Sequence, residues 1–274
     1  MINYEKYFKK CQEIFTGNKP SRNSSLFIDN LGCEIFNPEK KNKIFKFYKS
    51  YNDDVHEAFI YSDNKIKNRV DLFDTNHKNI IKVDNWKDCP AIYRLGNFCA
   101  RVAEENIYGS NAIVESILIY KNLLGGPKRS SWLWHYDDNV HQQIKIMIYL
   151  NDVTDKTGAM QVLKKEDGTS TKFLSSKISP IKTDKSKQLF GTSRLPEQFI
   201  EQQEIITISG KKGTFIVFDP NTPHRATLAS NKETRMCVVF NLRPYHKNKN
   251  KKIDRSTKTW STLGNVKKFS TSMD

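Results

Sequence analysis

Trp134-His135-Tyr136-Asp137-Asp138 lies at the end of a strand-like run, Trp132 to Asp137, and its reading decides the rest of the chain. It holds the only His-x-Asp triplet among six histidines, the other five being followed two places on by Ala58, Asn79, Gln143, Ala226 and Asn248. In a strand, residues two apart share a face, so His135 and Asp137 can grip one ion while Tyr136 turns aside. His224 follows 89 positions later (224 − 135), and Arg235 comes 11 residues after it. Two imidazoles and a carboxylate form the ligand set that holds a redox-active non-haem iron(II) on one face and leaves the other face open to substrate and oxygen. For His135 taken alone, a hydrogen-bonded core histidine is the plainer reading, so strand order has to decide.

Around this stretch the texture is of short β-branched and aromatic runs broken by turn residues. Eight segments read as strands: Ile117 to Lys121, Trp132 to Asp137, Ile144 to Leu150, Ala159 to Leu163, Glu204 to Ile208, Thr214 to Phe218, His224 to Leu228 and Arg235 to Leu242. Eight strands in this arrangement predict a jelly roll, in which the chain folds back as nested antiparallel pairs, first with eighth and second with seventh. That nesting puts the segment ending in His135 and Asp137 beside the one opening with His224. The fold expected is therefore mainly β with flanking helices, around a double-stranded β-helix (cupin-like) core.

The expected organisation is an N-terminal helical and irregular region over 1–110, the core over 111–246 with 164–203 inserted as a surface excursion, and a basic tail over 247–274. Tyr4, Tyr7, Phe8, Cys11, Ile14 and Phe15 repeat at helical spacing, as do Ile92, Leu95, Phe98, Cys99 and Val102 after a start signal at Asp88 and Pro90. The stretch from Ser21 to Asn85 carries no clear period. Gly158 and Gly213 read as turn glycines.

Composition narrows the class. Apolar residues make up 37% of the 274, and no apolar run reaches membrane-spanning length. The charged start, MINYEKYFKKCQEIF, lacks the apolar core of a secretory signal, so a cytoplasmic protein is expected. Five cysteines, odd in number and without Cys-x-x-Cys spacing, argue against a disulfide framework and against a zinc ribbon. The net charge of +15, with eight Lys and Arg against two Asp in 247–274, suits contact with nucleic acid or another polyanion; it equally suits a compositional bias toward Lys, Asn and Ile. Oligomeric state is not legible.

Arg235 opens a segment whose remainder, Met236 to Leu242, reads as nearly all buried, and a guanidinium entering an apolar core needs an anion. Its two-pronged donor face matches a carboxylate best, whether from a small acid or from an Asp or Glu of the chain. The stretches WHYDD, IKIMIYLNDVTDKTGAMQVL and GTFIVFDPNTPHRATLASNKETRMCVVFNLRP together resemble the core of the iron(II)/2-oxoglutarate-dependent oxygenases. Within that superfamily they look most like the phytanoyl-CoA dioxygenase group, with prolyl-4-hydroxylase-like enzymes close behind. The resemblance covers Ile117 to Pro244 and is specific at His135, Asp137, His224 and Arg235.

It implies a dioxygenase that uses iron(II), O2 and 2-oxoglutarate, hydroxylating an unactivated C–H bond of a small or medium-sized substrate with release of succinate and CO2. His135, Asp137 and His224 then correspond to the metal ligands, and Arg235 to the residue that holds the distal carboxylate of 2-oxoglutarate. Tyr120 is either a second contact to that carboxylate or a barrel-wall aromatic, and Trp134, Tyr136 and Asn139 either line a substrate pocket or belong to the core. Asp137 separates the chain from the halogenases of the superfamily, which carry a small residue there. The Gly-Ser-His signature common in the phytanoyl-CoA group is missing, since Leu163 runs into Lys164, Lys165 and Glu166. Two other readings stay open: a cupin-like metal protein without 2-oxoglutarate chemistry, and a basic nucleic-acid or polyanion binder, including an oxygenase acting on a macromolecule.

Overall fold

Period-two alternation sends Ile144, Ile146 and Ile148 to one face of a strand and Lys145, Met147 and Tyr149 to the other. It separates Met236, Val238, Phe240 and Leu242 from Cys237 and Val239 in the same way. A sheet of such strands has two apolar faces and must be covered on both. The computed structural model describes residues 32–67, 80–82, 88–108, 112–124, 130–137, 139, 143–173, 193–230 and 232–244. In it, helices cover one face of this sheet and a smaller sheet covers the other.

In chain order the elements are β1 (Cys33–Phe36), α1 (Tyr51–Lys67), β2 (Ile80–Lys82), α2 (Pro90–Ala103), β3 (Ala112–Asn122), β4 (Ile144–Tyr149), β5 (Met160–Lys164), α3 (Glu197–Ile200), β6 (Glu204–Ile208), β7 (Phe215–Phe218), β8 (His224–Ala226) and β9 (Met236–Pro244). The large sheet runs β1-β7-β4-β9-β3-β2 and the small one β6-β5-β8. β3 pairs with β9, His135 with His224, β4 with β7 and β5 with β6, all antiparallel. These are the nested pairs that the segment order predicts, and the fold is a mainly β jelly roll of the double-stranded β-helix kind.

α1 and α2 pack on the large sheet through an aromatic cluster centred on Phe215. Its ring lies 5.3 Å from Phe45, 5.5 Å from Phe98 and 6.5 Å from Tyr51, while the Tyr51 hydroxyl donates to the Gly213 carbonyl at 2.8 Å. α2 buries Ile92, Leu95, Phe98, Cys99 and Val102, the stripe read from the sequence. Its N-cap is Cys89 and not Asp88, because Pro90 at the first helical position holds the preceding residue extended. Arg94 ties the two helices by pairing with Asp54 and Glu57 of α1.

Several boundaries differ from the sequence reading. The strand expected over Trp132 to Asp137 shrinks to the His135 bridge, since Ser130–Trp132 forms a 3-10 turn and the Tyr136 and Asp137 amides donate to the loop carbonyls of Ser193 and Pro220. β3 begins five residues before the expected Ile117, beyond a bulge between Val114 and Ser116 that interrupts the alternation. α1, β1 and β2 arise where no period was visible, so the N-terminal region contributes strands to the core sheet as well as helices. The 164–203 insertion is not wholly a surface excursion: Leu195 is buried and its amide donates to the Trp134 carbonyl, which sets residues 193–195 beside the His135 segment. The helix expected over Tyr4 to Phe15 and the 247–274 tail lie outside the described residues.

Because Phe215 touches the rings that join the helices to the sheet, Phe215→Ala is expected to cost about 3–5 kcal/mol. Equilibrium urea unfolding checks this, and a loss below about 1 kcal/mol would refute the assigned role.

Candidate metal centre

The site starts from a backbone constraint. His135 and His224 exchange hydrogen bonds in both directions, at 3.1 and 2.9 Å, which fixes their Cα atoms opposite one another across an antiparallel pair. Their rings lie 4.4 Å apart by centroid. The Asp137 amide is held by the Pro220 carbonyl at 2.9 Å, and this turns the carboxylate back toward both rings. Asp137 Oδ1 is 3.5 Å from His135 Nε2, and Asp137 Oδ2 is 3.6 Å from His224 Nε2. Two ligand atoms on one ion, each about 2.0–2.2 Å from it, cannot be more than about 4.4 Å apart, and both separations fit.

Each imidazole is oriented from behind. His135 Nδ1 lies 2.8 Å from the Leu133 carbonyl and His224 Nδ1 lies 2.8 Å from the Thr222 carbonyl. A carbonyl can only accept, so both Nδ1 atoms carry the proton and both Nε2 lone pairs face the shared centre. Burial pushes His224 down to about 3, aided by the neighbouring His135 and against the opposing Asp137, so its ring is neutral. Burial alone would raise the Asp137 carboxyl, but Lys145, His224 and His135 hold it well below the usual carboxylate range. A neutral His224 imidazole and an ionised Asp137 carboxylate are protonation states that suit a divalent cation. These three are also the group that offers clustered metal donors among the described residues.

The triad opens into a cavity of about 240 Å³ whose wall includes Leu118, Tyr120, Trp132, Met147, Met160 and Val239. Arg235 lines it too, 2% exposed, with Nε and Nη1 buried and without a hydrogen-bond partner. Its guanidinium carbon lies 5.7 Å from the centroid of the Tyr120 ring. The backbone around it is clamped: the Arg235 amide donates to Thr157 O at 2.7 Å, Asn122 N donates to Arg235 O at 2.8 Å, and Met236 N donates to Asn151 Oδ1 at 2.7 Å. Gly158, at φ 91°, closes the turn that presents Thr157, and a Cβ there would sit 2.4 Å from Asn122 Nδ2. A buried guanidinium with two of its nitrogens unpartnered is costly unless an anion arrives, so the residues fit a small carboxylic acid beside the metal donors.

Of the expected substrate residues, the cavity wall includes none. Trp134 stacks against Arg225, Tyr136 is buried 4.8 Å from the Phe173 ring, and Asn139 exchanges hydrogen bonds with Asn221. The Trp134 and Tyr136 side chains pack with Leu163 of β5 and with Leu195, the Asn139 contacts are made by its backbone, and Trp132 takes the cavity position. One cation on the wall, Lys145, is not singled out by the sequence reading. Lys145 sits 2.5 Å from Asp137 Oδ2, whereas the Arg225 side chain turns away from His224 to bond Gln161 and stack on Trp134. A lysine at an inward position of the run Ile144-Lys145-Ile146-Met147 was the available signal.

The His224 burial has a pH consequence. Its folded value of about 3 lies below the ordinary 6.5, so the folded state binds fewer protons than the unfolded chain between these limits. Its stabilising contribution is complete above pH 6.5 and is lost as the pH falls toward 3, with a slope of up to about 1.4 kcal/mol per pH unit. Urea midpoints of chelator-treated protein between about pH 7 and about pH 5 should therefore fall less steeply in His224→Gln than in the wild type, and equal slopes would contradict the assignment.

Comparison with known proteins adds to this geometry. Solved structures share the fold at low identity: EctD from S. alaskensis with 2-oxoglutarate and 5-hydroxyectoine (13% identity, TM-score 0.55, covering 89% of this chain and 88% of that one) and the non-heme alpha ketoglutarate dependent epimerase SnoN from nogalamycin biosynthesis (12%, 0.53, 81% of each). AviO1 from Streptomyces viridochromogenes Tue57 matches at 12% identity and TM-score 0.51, over 82% of this chain and 95% of its own. Among curated proteins, none matches significantly by sequence. The phytanoyl-CoA dioxygenase family, however, matches residues 36–237, a span that contains the triad, Arg235 and the whole clamp around it. By that match, the chain belongs to the phytanoyl-CoA dioxygenase family.

Proposed function

We propose that the protein is an iron(II)- and 2-oxoglutarate-dependent dioxygenase that hydroxylates an unactivated C–H bond of a small or medium-sized substrate. His135, Asp137 and His224 hold the metal, and Arg235 takes the distal carboxylate of 2-oxoglutarate, with Tyr120 beside it as a second contact. The observation that carries the reading is Arg235, a buried cation in the metal cavity with two donor atoms unpartnered. A cupin-like metal site without an acid cosubstrate has no use for that cation. Family membership supports the reading, as do folds shared with EctD, whose structure holds 2-oxoglutarate, and with an alpha ketoglutarate dependent epimerase.

Bound iron(II) supplies the activation of O2, coupled to oxidative decarboxylation of 2-oxoglutarate to succinate and CO2. The chain supplies placement. The two carbonyl-held imidazoles and Asp137 would hold the ion, their donor atoms already oriented toward one shared centre. Arg235 orients the cosubstrate through a charge-assisted pair in a low-dielectric pocket. Met147, Met160, Phe218 and Val239, all buried, give the cavity an apolar wall that disfavours water at the reacting centre. A pocket of this size favours a small molecule over a macromolecule as substrate. A cytoplasmic setting agrees with the buried free thiols of Cys33, Cys89, Cys99 and Cys237. No helix among the described residues is long and apolar enough to cross a membrane.

Asp137→Ala should abolish iron-dependent succinate formation while leaving the unfolding midpoint near that of the wild type; succinate release at wild-type rate would defeat the assignment. Arg235→Gln should keep manganese(II) binding but weaken 2-oxoglutarate binding roughly hundredfold, about 3 kcal/mol, read as loss of the 2-oxoglutarate-dependent rise in melting temperature. An unchanged rise would return Arg235 to a structural role.

A further inference from the structure

We propose that Lys145 is a positioning residue for the metal centre: its ammonium occupies Asp137 Oδ2, so that the carboxylate meets the ion through Oδ1 alone. The inference rests on the dioxygenase reading and assigns a role to a cation that touches a metal donor. Lys145 lines the metal cavity, and its Nζ donates to Asp137 Oδ2 at 2.5 Å. Both side chains are mostly buried, 18% and 20% exposed, so the charge-assisted bond is largely shut away from solvent. Both Asp137 oxygens are within reach of an ion shared with the imidazoles, Oδ1 3.5 Å from His135 Nε2 and Oδ2 3.6 Å from His224 Nε2. Spacing by itself therefore permits a chelating carboxylate. Lys145 opposes it: an ion bound to Oδ2 would stand within about 5 Å of the ammonium, where like charges repel strongly in a mostly buried site.

The fold holds Lys145 in that place. It stands within β4, its Cα opposite Phe218 of β7 on one side and Asn241 of β9 on the other, while Ile144 and Ile146 beside it enter the helix-covered core. Its base cannot shift without disturbing two ladders. Asp137 is fixed from its own backbone by the Pro220 carbonyl. An ammonium at an inward position of a central strand is costly to desolvate, which charge balance at a surface does not require. The consequence concerns the positions that the protein leaves open. A carboxylate bound through one oxygen leaves the ion one coordination position more than a chelating one, and a site that must take both a cosubstrate and oxygen needs that position.

The test compares the full-length protein with Lys145→Met, which removes the charge but keeps a long side chain, and with Lys145→Arg, which keeps a cationic donor. Crystals grown with manganese(II) should show one Asp137 oxygen on the ion in the wild type, with Lys145 on the other, and both oxygens on the ion in Lys145→Met. In solution, Lys145→Met should bind manganese(II) about tenfold more tightly, since a repelling charge is gone and a second oxygen is gained. Succinate formation without added primary substrate should fall about tenfold or more in that variant, while the 2-oxoglutarate-dependent rise in melting temperature is kept. Lys145→Arg should stay near the wild type in each measurement, and it guards against a folding defect in the methionine variant. A wild-type protein that binds no manganese(II), or gains no stability from 2-oxoglutarate, overturns the dioxygenase reading. One that does both yet holds the ion through both Asp137 oxygens overturns the role of Lys145 alone, as does a Lys145→Met variant that keeps one-oxygen ligation or whose manganese(II) affinity is not raised.

Discussion

The reciprocal backbone pair between His135 and His224 is the constraint from which the site follows. Two amide–carbonyl bonds fix the spacing of residues 89 positions apart in sequence, and the Leu133 and Thr222 carbonyls then fix the rotation of each ring. Backbone bonds do the positioning, so neither the metal donors nor their tautomers depend on long flexible side chains. The pairing is also minimal. The Tyr136 and Asp137 amides leave the strand ladder for the Ser193 and Pro220 carbonyls, so this segment serves as a holder of ligands more than as a strand.

Arg235 poses the opposite problem, a charge that the fold must bury. It sits where β9 begins, with its backbone bonded to Thr157 and Asn122 and its neighbour Met236 bonded to Asn151. A guanidinium with unpartnered donors in such a place destabilises the protein by itself. On the proposed reading, its place at the end of a cavity that also holds three metal donors is stability given up for a cosubstrate contact, with the clamp keeping the side chain from withdrawing to water.

How much of this was legible in the sequence depended on the range of the signal. The nested pairing was readable because each strand carries its own alternation, and the triad was readable because His135 and Asp137 are two apart while His224 opens the segment that nests against them. α1 was not readable: its buried positions include Asp54 and Ser62, whose partners, Arg94 and the Ala58 carbonyl, come from the fold and not from any apolar stripe. β3 was read short because Glu115 interrupts an apolar run, and only the structure reveals its pairing with Arg243 across the sheet. Trp134 and Tyr136 were placed near a pocket because they flank the ligands. Which side each ring takes is decided by Arg225, Phe173 and Leu195, and those contacts have no local trace.

The large sheet separates stability from chemistry across its own thickness. Its helix-covered face is packed with aliphatic residues and a ring cluster from Phe36 to Phe215, whereas its inner face carries Lys145, Tyr120 and the start of β9 and leaves a space. Each strand contributes to both faces at alternate positions, so the same residues that bury one side hold the polar groups of the other in register. A change of substrate therefore needs new side chains only at inward positions and in the loops around His135, with the helix-backed core left intact. This arrangement accounts for a shared fold with EctD and SnoN at 13% and 12% identity, since pattern and pairing suffice to build the sheet while individual inward residues are free to differ.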